Sequence, residues 1–305
     1  MAVIQTVGKE FLIKEMVKSI PILSNTLHKG ECGRIAVIGG SPLYTGAPYF
    51  AAISALRLGA DLVHVFCQKE AASAIKSYSP ELIVHPILDS PNVLKTISQV
   101  IPNLHAIVIG PGLGREEIVF RNLSAIIELI KHCGIPMVID ADGLFYLNSN
   151  PTVIQQYPNV VLTPNVVEFN RLFKSVVGIP IDLSEPPSAE NVSTLASKLG
   201  GVTILHKGEH DIMSNGIHTN ICEKLGSPRR CGGQGDLLSG MLATLLYWKI
   251  RDGCDENATL SAACAASHLC RMVNRKAFEI HGRGTLASDM IPFISIAFRE
   301  LFGQK

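Results

Sequence analysis

Short runs of β-branched and aliphatic residues recur along the chain, each leading into a stretch with helical spacing. The runs are Arg34-Ile-Ala-Val-Ile38, Leu62-Val-His-Val-Phe66, Ala106-Ile-Val-Ile109, Pro136-Met-Val-Ile139, Val160-Val-Leu-Thr163 and Val202-Thr-Ile-Leu-His206. They are apolar at nearly every position rather than at alternate ones, the pattern of strands buried on both faces. Between them, helical spacing predicts helices over residues 47–58, over 190–199, and from Gly235 onward through Leu237, Leu238, Met241, Leu242, Leu245 and Leu246. This alternation predicts an α/β fold, a doubly wound, mostly parallel sheet with helices on both faces and hence three layers. No composition break divides the chain, so residues 1–305 are expected to form a single domain, with 1–32 as an N-terminal helical extension. Residues 180–188, rich in Pro, Ser and Glu, read as a surface loop, and no repeat of solenoid length is present.

In sheets of this kind ligands bind beyond the carboxyl ends of the strands. Five exits are occupied by small, polar or turn-forming residues: Gly39-Gly-Ser-Pro, Gly110-Pro-Gly-Leu-Gly114, Asp140-Ala-Asp-Gly143, Pro164-Asn165 and Lys207-Gly208. Each alone is ordinary turn chemistry. Together they favour one shared cleft.

Charge adds mainly exclusions. Basic residues (27) nearly balance acidic ones (26) and form no long run, so a nucleic-acid surface has no support. A hydrophobic share of 47% against 17% charged residues points to a large buried core. The longest uncharged helical stretch, residues 237–248, is too short to span a bilayer, and residues 1–22 lack the apolar centre of a signal peptide. The eight cysteines (Cys32, Cys67, Cys133, Cys222, Cys231, Cys254, Cys264 and Cys270) include no C-x-x-C pair and no zinc-ligand spacing. The expectation is a soluble, cytoplasmic protein in a reducing compartment, a mitochondrial form being left open. The sequons at Asn191 and Asn257 are then accidental.

The strongest chemical signal is Cys231-Gly-Gly-Gln-Gly-Asp236, running straight into a helix. Glycines at a helix start let backbone N–H groups converge on an anion, and the helix dipole favours negative charge there. Asp236 in the first turn either complements that dipole or acts as a base on a substrate hydroxyl while the N–H groups hold a phosphoryl group. The loop is not a Walker A motif, and Gly110-Pro-Gly-Leu-Gly114 lacks the spacing of a dinucleotide fingerprint. Arg229 and Arg230 either solvate the loop or neutralise a phosphate. Asp140 and Asp142 read as a turn or as a metal pair, Glu168 as an exposed first-turn carboxylate, and His206 with His210 as a poor metal site, so no metal ligands are assigned.

These strings carry a resemblance. Gly33-Arg-Ile-Ala-Val-Ile-Gly-Gly40, Tyr44-Thr-Gly-Ala-Pro-Tyr-Phe50, Ile109-Gly-Pro-Gly-Leu-Gly-Arg115, Val138-Ile-Asp-Ala-Asp-Gly143, Leu162-Thr-Pro-Asn-Val-Val-Glu-Phe169, Lys207-Gly-Glu-His-Asp211 and residues 226–240 occur in order over more than two thirds of the chain. The chain resembles the ATP-dependent NAD(P)H-hydrate dehydratases of eukaryotes, within the ribokinase-like superfamily. Gly-x-Gly-Asp is shared with many small-molecule kinases; Thr-Pro-Asn-x-x-Glu-Phe and Arg-Arg-Cys-Gly-Gly-Gln-Gly-Asp are far more specific. The resemblance implies a ribokinase-like fold and repair of hydrated NADH and NADPH at the expense of ATP, with Mg2+ arriving on the nucleotide. It further implies phosphorylation of the C6 hydroxyl and loss of phosphate.

The same resemblance implies site residues. Asp236 would be the base, and Gly232, Gly233 and Gly235 the anion hole. Asn165, Val166, Val167, Glu168, Phe169, Asn170 and Arg171 would bind the hydrated nicotinamide, with Gly112 or Gly114. Lys207, Gly208, Glu209, His210 and Asp211 would bind ATP, together with Gly226, Ser227, Pro228, Arg229, Arg230, Cys231, Gln234 and the anion-hole glycines. A functional link to an NAD(P)H-hydrate epimerase is implied, and a homo-oligomer is left open. The alternatives in other classes are a vitamin or sugar kinase and a non-catalytic nucleotide-binding protein.

Overall fold

Each of the six apolar runs forms a strand in the computed structural model, which describes residues 5–181, 186–251, 253 and 255–303. Residues 182–185 of the expected loop, Cys254 and the first four residues of the expected extension lie outside the described residues. The strands are β1 (Gln5–Thr6), β2 (Arg34–Ile38), β3 (Leu62–Cys67), β4 (Leu82–Pro86), β5 (Ala106–Ile109), β6 (Met137–Ile139), β7 (Val160–Leu162), β8 (Thr203–His206), β9 (Asp211–Ser214) and β10 (His218–Cys222). The helices are α1 (Lys9–Ser19), α2 (Gly46–Leu58), α3 (Ala72–Tyr78), α4 (Val93–Ile97), α5 (Glu117–His132), α6 (Asp142–Leu147), α7 (Val166–Val177), α8 (Ala189–Lys198), α9 (Gln234–Arg251), α10 (Ala258–His281), α11 (Ala287–Met290) and α12 (Ile294–Phe302).

One sheet runs β1-β10-β9-β8-β7-β6-β5-β2-β3-β4. It is parallel except where β9 lies antiparallel to β8 and β10. From β2 the chain first moves outward through β3 and β4, then crosses to β5 and proceeds the other way. The crevice between β2 and β5 is therefore the switch point at which ligands are expected. There the exits lock together, the Gly40 amide donating to the Gly112 carbonyl at 3.1 Å.

The sheet has an apolar core on each face. In β2, Ile35 and Val37 pack with α2, α9 and α10, whereas Ala36 and Ile38 pack with α5, α6, α7 and α8. Near-continuous apolar strands are the direct result, since both pleat faces are buried. Helix α9 is buried from Leu237 through Leu246, which explains its lack of a polar face. It lies close against α2: a Cβ at Gly240 would run into the Ala51 carbonyl. Each fully buried leucine in that helix contributes roughly 1.5–3 kcal/mol of transfer free energy. The start of α9, where Asp236 stands, is thereby anchored.

Four strands were not evident in the hydrophobic pattern. β4 is an edge strand ending in Pro86, where a missing N–H breaks no ladder. β9 and β10 are rich in polar residues, and their hairpin is closed by Asn215, whose side chain accepts from the Ile217 and His218 amides at 3.1 and 2.8 Å. The extension expected to be helical also supplies β1, which pairs with β10.

Candidate active site

Asp236 sits in the first turn of α9, beside a salt bridge that links two other strand exits. Lys207, just past β8, donates from Nζ to Oδ1 of Asp140, just past β6, at 2.8 Å. The pair presses on the backbone before Asp236: a Cβ at Gly235 would stand 3.3 Å from Lys207 Nζ and 3.7 Å from Asp140 Oδ2. Burial, followed by the Asp140 carboxylate, pushes Asp236 up to about 7, although the Lys207 ammonium opposes this. Burial alone would lower Lys207; Asp140, Glu168 and Asp236 outweigh it and raise the lysine above its ordinary value. A carboxyl poised near neutrality suits a general base.

The string Thr163-Pro-Asn-Val-Val-Glu168 has a local cause. Asn165 caps α7, its Oδ1 accepting from the Val167 and Glu168 amides at 3.0 Å each. Glu168 Oε2 accepts in return from the Asn165 amide at 2.9 Å, completing a capping box. The cap also aims both residues at ligands: Asn165 lines one cleft and Glu168 the next. Burial raises Glu168, and Lys207 only partly offsets this.

Asp236 lines one cleft and Lys207 another. The first, about 630 Å3, is lined by Ser41, Tyr44, Gly112, Gly114, Arg115, Asp142, Phe145, Asn148, Glu168, Arg171 and Asp236 among others. The second, about 760 Å3, is lined by Asn165, Lys207, Gly208, Glu209, Asp211, Gly226, Arg230 and the loop Cys231–Gly235, with Ser267, Cys270, Arg271 and Asn274 from α10. All five strand exits contribute, but to two clefts rather than the one shared cleft the sequence pattern predicts: those after β2, β5 and β6 line the first, those after β7 and β8 the second. Both Gly112 and Gly114 line the first cleft.

The glycine loop is held by its neighbours. Gly233 has φ +91°, and a Cβ there would strike Phe50 and Ala287. Gln234 Nε2 donates to the Arg229 carbonyl at 3.2 Å and to Cys231 Sγ at 3.0 Å, folding the loop back on the helix start. Beneath it, Arg271 of α10 grips Asp211 from Nε at 3.0 Å and from Nη2 at 2.5 Å, and also donates to the Gly208 and Glu209 carbonyls. Asp211 accepts further from Ser267 Oγ at 2.7 Å and the Gly208 amide at 3.0 Å. It is a brace for the Gly208–Glu209 turn.

Several expected residues stand elsewhere. Phe169 is fully buried in the core against Phe173 and His206, because the third turn position of α7 faces the sheet. Asn170 accepts from the Ile181 amide at 3.0 Å, and Val166 and Val167 line neither cleft. His210 is exposed outside the second cleft, and Ser227 is buried with its amide donating to Asn274. Pro228 and Arg229 face a separate cleft with Arg230. Asp140 and Asp142 are no metal pair, since Asp140 serves Lys207 whereas Asp142 pairs with Arg115 Nε at 2.8 Å. Between them Ala141 takes φ 48°, a conformation costly for any residue with a Cβ, which turns the two acids apart. No cluster of three or more His, Cys, Asp or Glu suited to a metal occurs among the described residues.

Sequence reading missed the Asp140–Lys207 pair and every contribution of α10. The first could have been suspected from a charged residue at the ends of two apolar strands. The second left no local signal.

Comparison with known proteins agrees with this geometry. Residues 35–295 match the sequence profile of the family described as NAD(P)H-hydrate dehydratase. The chain is 52% identical to the human ATP-dependent (S)-NAD(P)H-hydrate dehydratase over 287 residues, which is 93% of this chain and 82% of that protein. It is 50% identical to the Danio rerio enzyme of the same name, covering 97% and 90%. Among solved structures, a ribokinase-like superfamily protein from Enterococcus faecalis superposes with a TM-score of 0.78 at 20% identity, covering 99% of this chain and 97% of that one. The Bacillus subtilis ADP/ATP-dependent NAD(P)H-hydrate dehydratase, co-crystallised with ATP and Mg2+, gives 0.69 at 21% identity, covering 98% and 100%. At such identities the structural likeness establishes the ribokinase-like fold.

Proposed function

The chain belongs to the NAD(P)H-hydrate dehydratase family, and from that premise we propose that it uses ATP to convert hydrated NADH and NADPH back to NADH and NADPH, releasing ADP and phosphate. The observation that carries this reading is Asp236, a buried carboxyl in the wall of the first cleft, directly preceded by the glycine loop that lines the second.

The hydrated nicotinamide occupies the first cleft and MgATP the second. Asp236 takes the proton of the C6 hydroxyl as its oxygen attacks the γ-phosphorus, and the bond from that phosphorus to ADP breaks. Backbone N–H groups of Gly232, Gly233 and Gly235 face the charge that develops on the transferred group. The C6–O bond then breaks with its electrons leaving on phosphate, while the ring-nitrogen pair moves in. The departing phosphate takes the neighbouring ring proton, and the electrons of that C–H bond restore the double bond. Phosphate leaves far more readily than hydroxide, which is why a kinase-like site suits a dehydration. Glu168 and Arg171 in the first cleft, and Lys207 and Arg230 in the second, are the charged groups placed to orient the two substrates.

The reading extends to the protein's setting. One domain with residues 1–32 as an extension is supported by β1 pairing with β10 and by α1 packing on the same core as α10. A reducing, cytoplasmic location is supported by the described cysteines, all of which are free, and no helix among the described residues is long and apolar enough to cross a membrane. The relatives are named for the (S) substrate, so an epimerase is the natural functional partner for the other epimer.

An absorbance assay with hydrated NADH tests the proposal. ATP should restore NADH with stoichiometric ADP and phosphate, and ADP in place of ATP should not. A lasting phosphoester with no NADH would instead identify a small-molecule kinase.

A further inference from the structure

We propose that Asp140 and Lys207 form a positioning pair, Asp140 clamping the Lys207 ammonium at the seam between the two clefts, where it faces both Asp236 and the phosphoryl group in transit. The inference rests on the dehydratase reading above and adds two roles to it.

Geometry carries it. Lys207 is fixed at both ends, its amide donating to the Pro164 carbonyl at 2.8 Å and its Nζ to Asp140 at 2.8 Å. Asp140 is fixed in turn by its amide bond to the Ile109 carbonyl at 2.9 Å and by the strained turn at Ala141 that follows. An ammonium has three donors, and among the described residues Asp140 engages one. Lys207 lines the second cleft together with the glycine loop, where a ligand could take the other two. With Asp140 buried at 2% exposure, the pair cannot swing into solvent. A long, flexible lysine is thus held at one point, which is what transfer of a charged group requires of its electrostatic partner.

The arrangement also sets the charge around the base. The groups facing Asp236 are Asp140 from the β6 exit, Lys207 from the β8 exit and Glu168 from α7; Arg171 and the Arg115–Asp142 pair line the same cleft farther along. The two members of the clamp act on Asp236 in opposite directions. Removing the carboxylate should ease ionisation of Asp236, and removing the ammonium should hinder it.

That opposition supplies the test. The pH dependence of kcat/KM would be measured for the intact chain, for Asp140→Asn, for Lys207→Gln and for Lys207→Arg, with carboxyl-carbon NMR of labelled aspartate following Asp236 directly. The acid limb should move down by about one unit or more in Asp140→Asn and up by a similar amount in Lys207→Gln, while Lys207→Arg stays near the parent. The NMR titration should move with it. A limb and a titration that stay put, or move the same way in both variants, would overturn the proposal, because loss of a merely structural contact lowers activity without opposed shifts. If the unaltered chain does not dehydrate hydrated NADH at all, the failure belongs to the proposed function. NMR then still reads the clamp.

Discussion

At the scale of single residues, Asp236 is held by burial and by Asp140 in a state that favours its proton, and this ties activity to stability. Its folded value is raised from 3.8 to about 7, so the native state binds a proton that the unfolded chain has released over that interval. Stability from this group is complete below the unfolded value and is lost as pH rises through about 7. Asp236→Asn should therefore match the parent in denaturant titrations near pH 4 and exceed it near pH 8. Turnover should fall on the order of 10²–10⁴-fold, the range lost with a general base. A variant no more stable than the parent at the higher pH would show that the carboxyl is not held as described.

At the scale of elements, the turn after β8 depends on a helix far away in sequence. Arg271 of α10 holds Asp211 at the start of β9, and through it the Gly208 and Glu209 turn. Burial, outweighed by the Asp211 carboxylate, leaves the guanidinium above its ordinary value. Arg271→Met leaves the Asp211 carboxylate without its counter-charge and should cost about 3–5 kcal/mol in urea unfolding. Adding Asp211→Asn should recover part of that loss, since no stranded charge then remains. If the single and double variants are equally unstable, the brace is packing rather than charge. None of this could be read from residues 258–281, whose small apolar residues indicate only a buried helix. By contrast the helix start at Pro164-Asn165 is legible, whereas the capping box that draws Glu168 back to the Asn165 amide is not, since the sequence alone reads Glu168 as an exposed first-turn carboxylate.

At the scale of the whole molecule, the two clefts are lined by residues far apart in the chain and exist only in the folded state, so a ligand that fills them should stabilise the fold. ATP present at 100 times its dissociation constant should add about 2.7 kcal/mol, seen as a raised melting temperature that vanishes when the nucleotide is dialysed away. A melting temperature indifferent to ATP would remove the nucleotide from the second cleft. The alternation of buried strands with helices, the small residues at the strand exits and the glycine–acid step into α9 were all determined by the sequence itself. Buried parallel strands must be apolar throughout, turns need small residues, and a helix start is written in its own first residues. What only the tertiary structure decided is which residues meet across long intervals. Lys207 meets Asp140, Asp211 meets Arg271, and Phe169 turns into the core while Glu168 lines the first cleft. Pairing of that kind has no local period, because it depends on how the crossovers bring separate strand exits to one edge of the sheet.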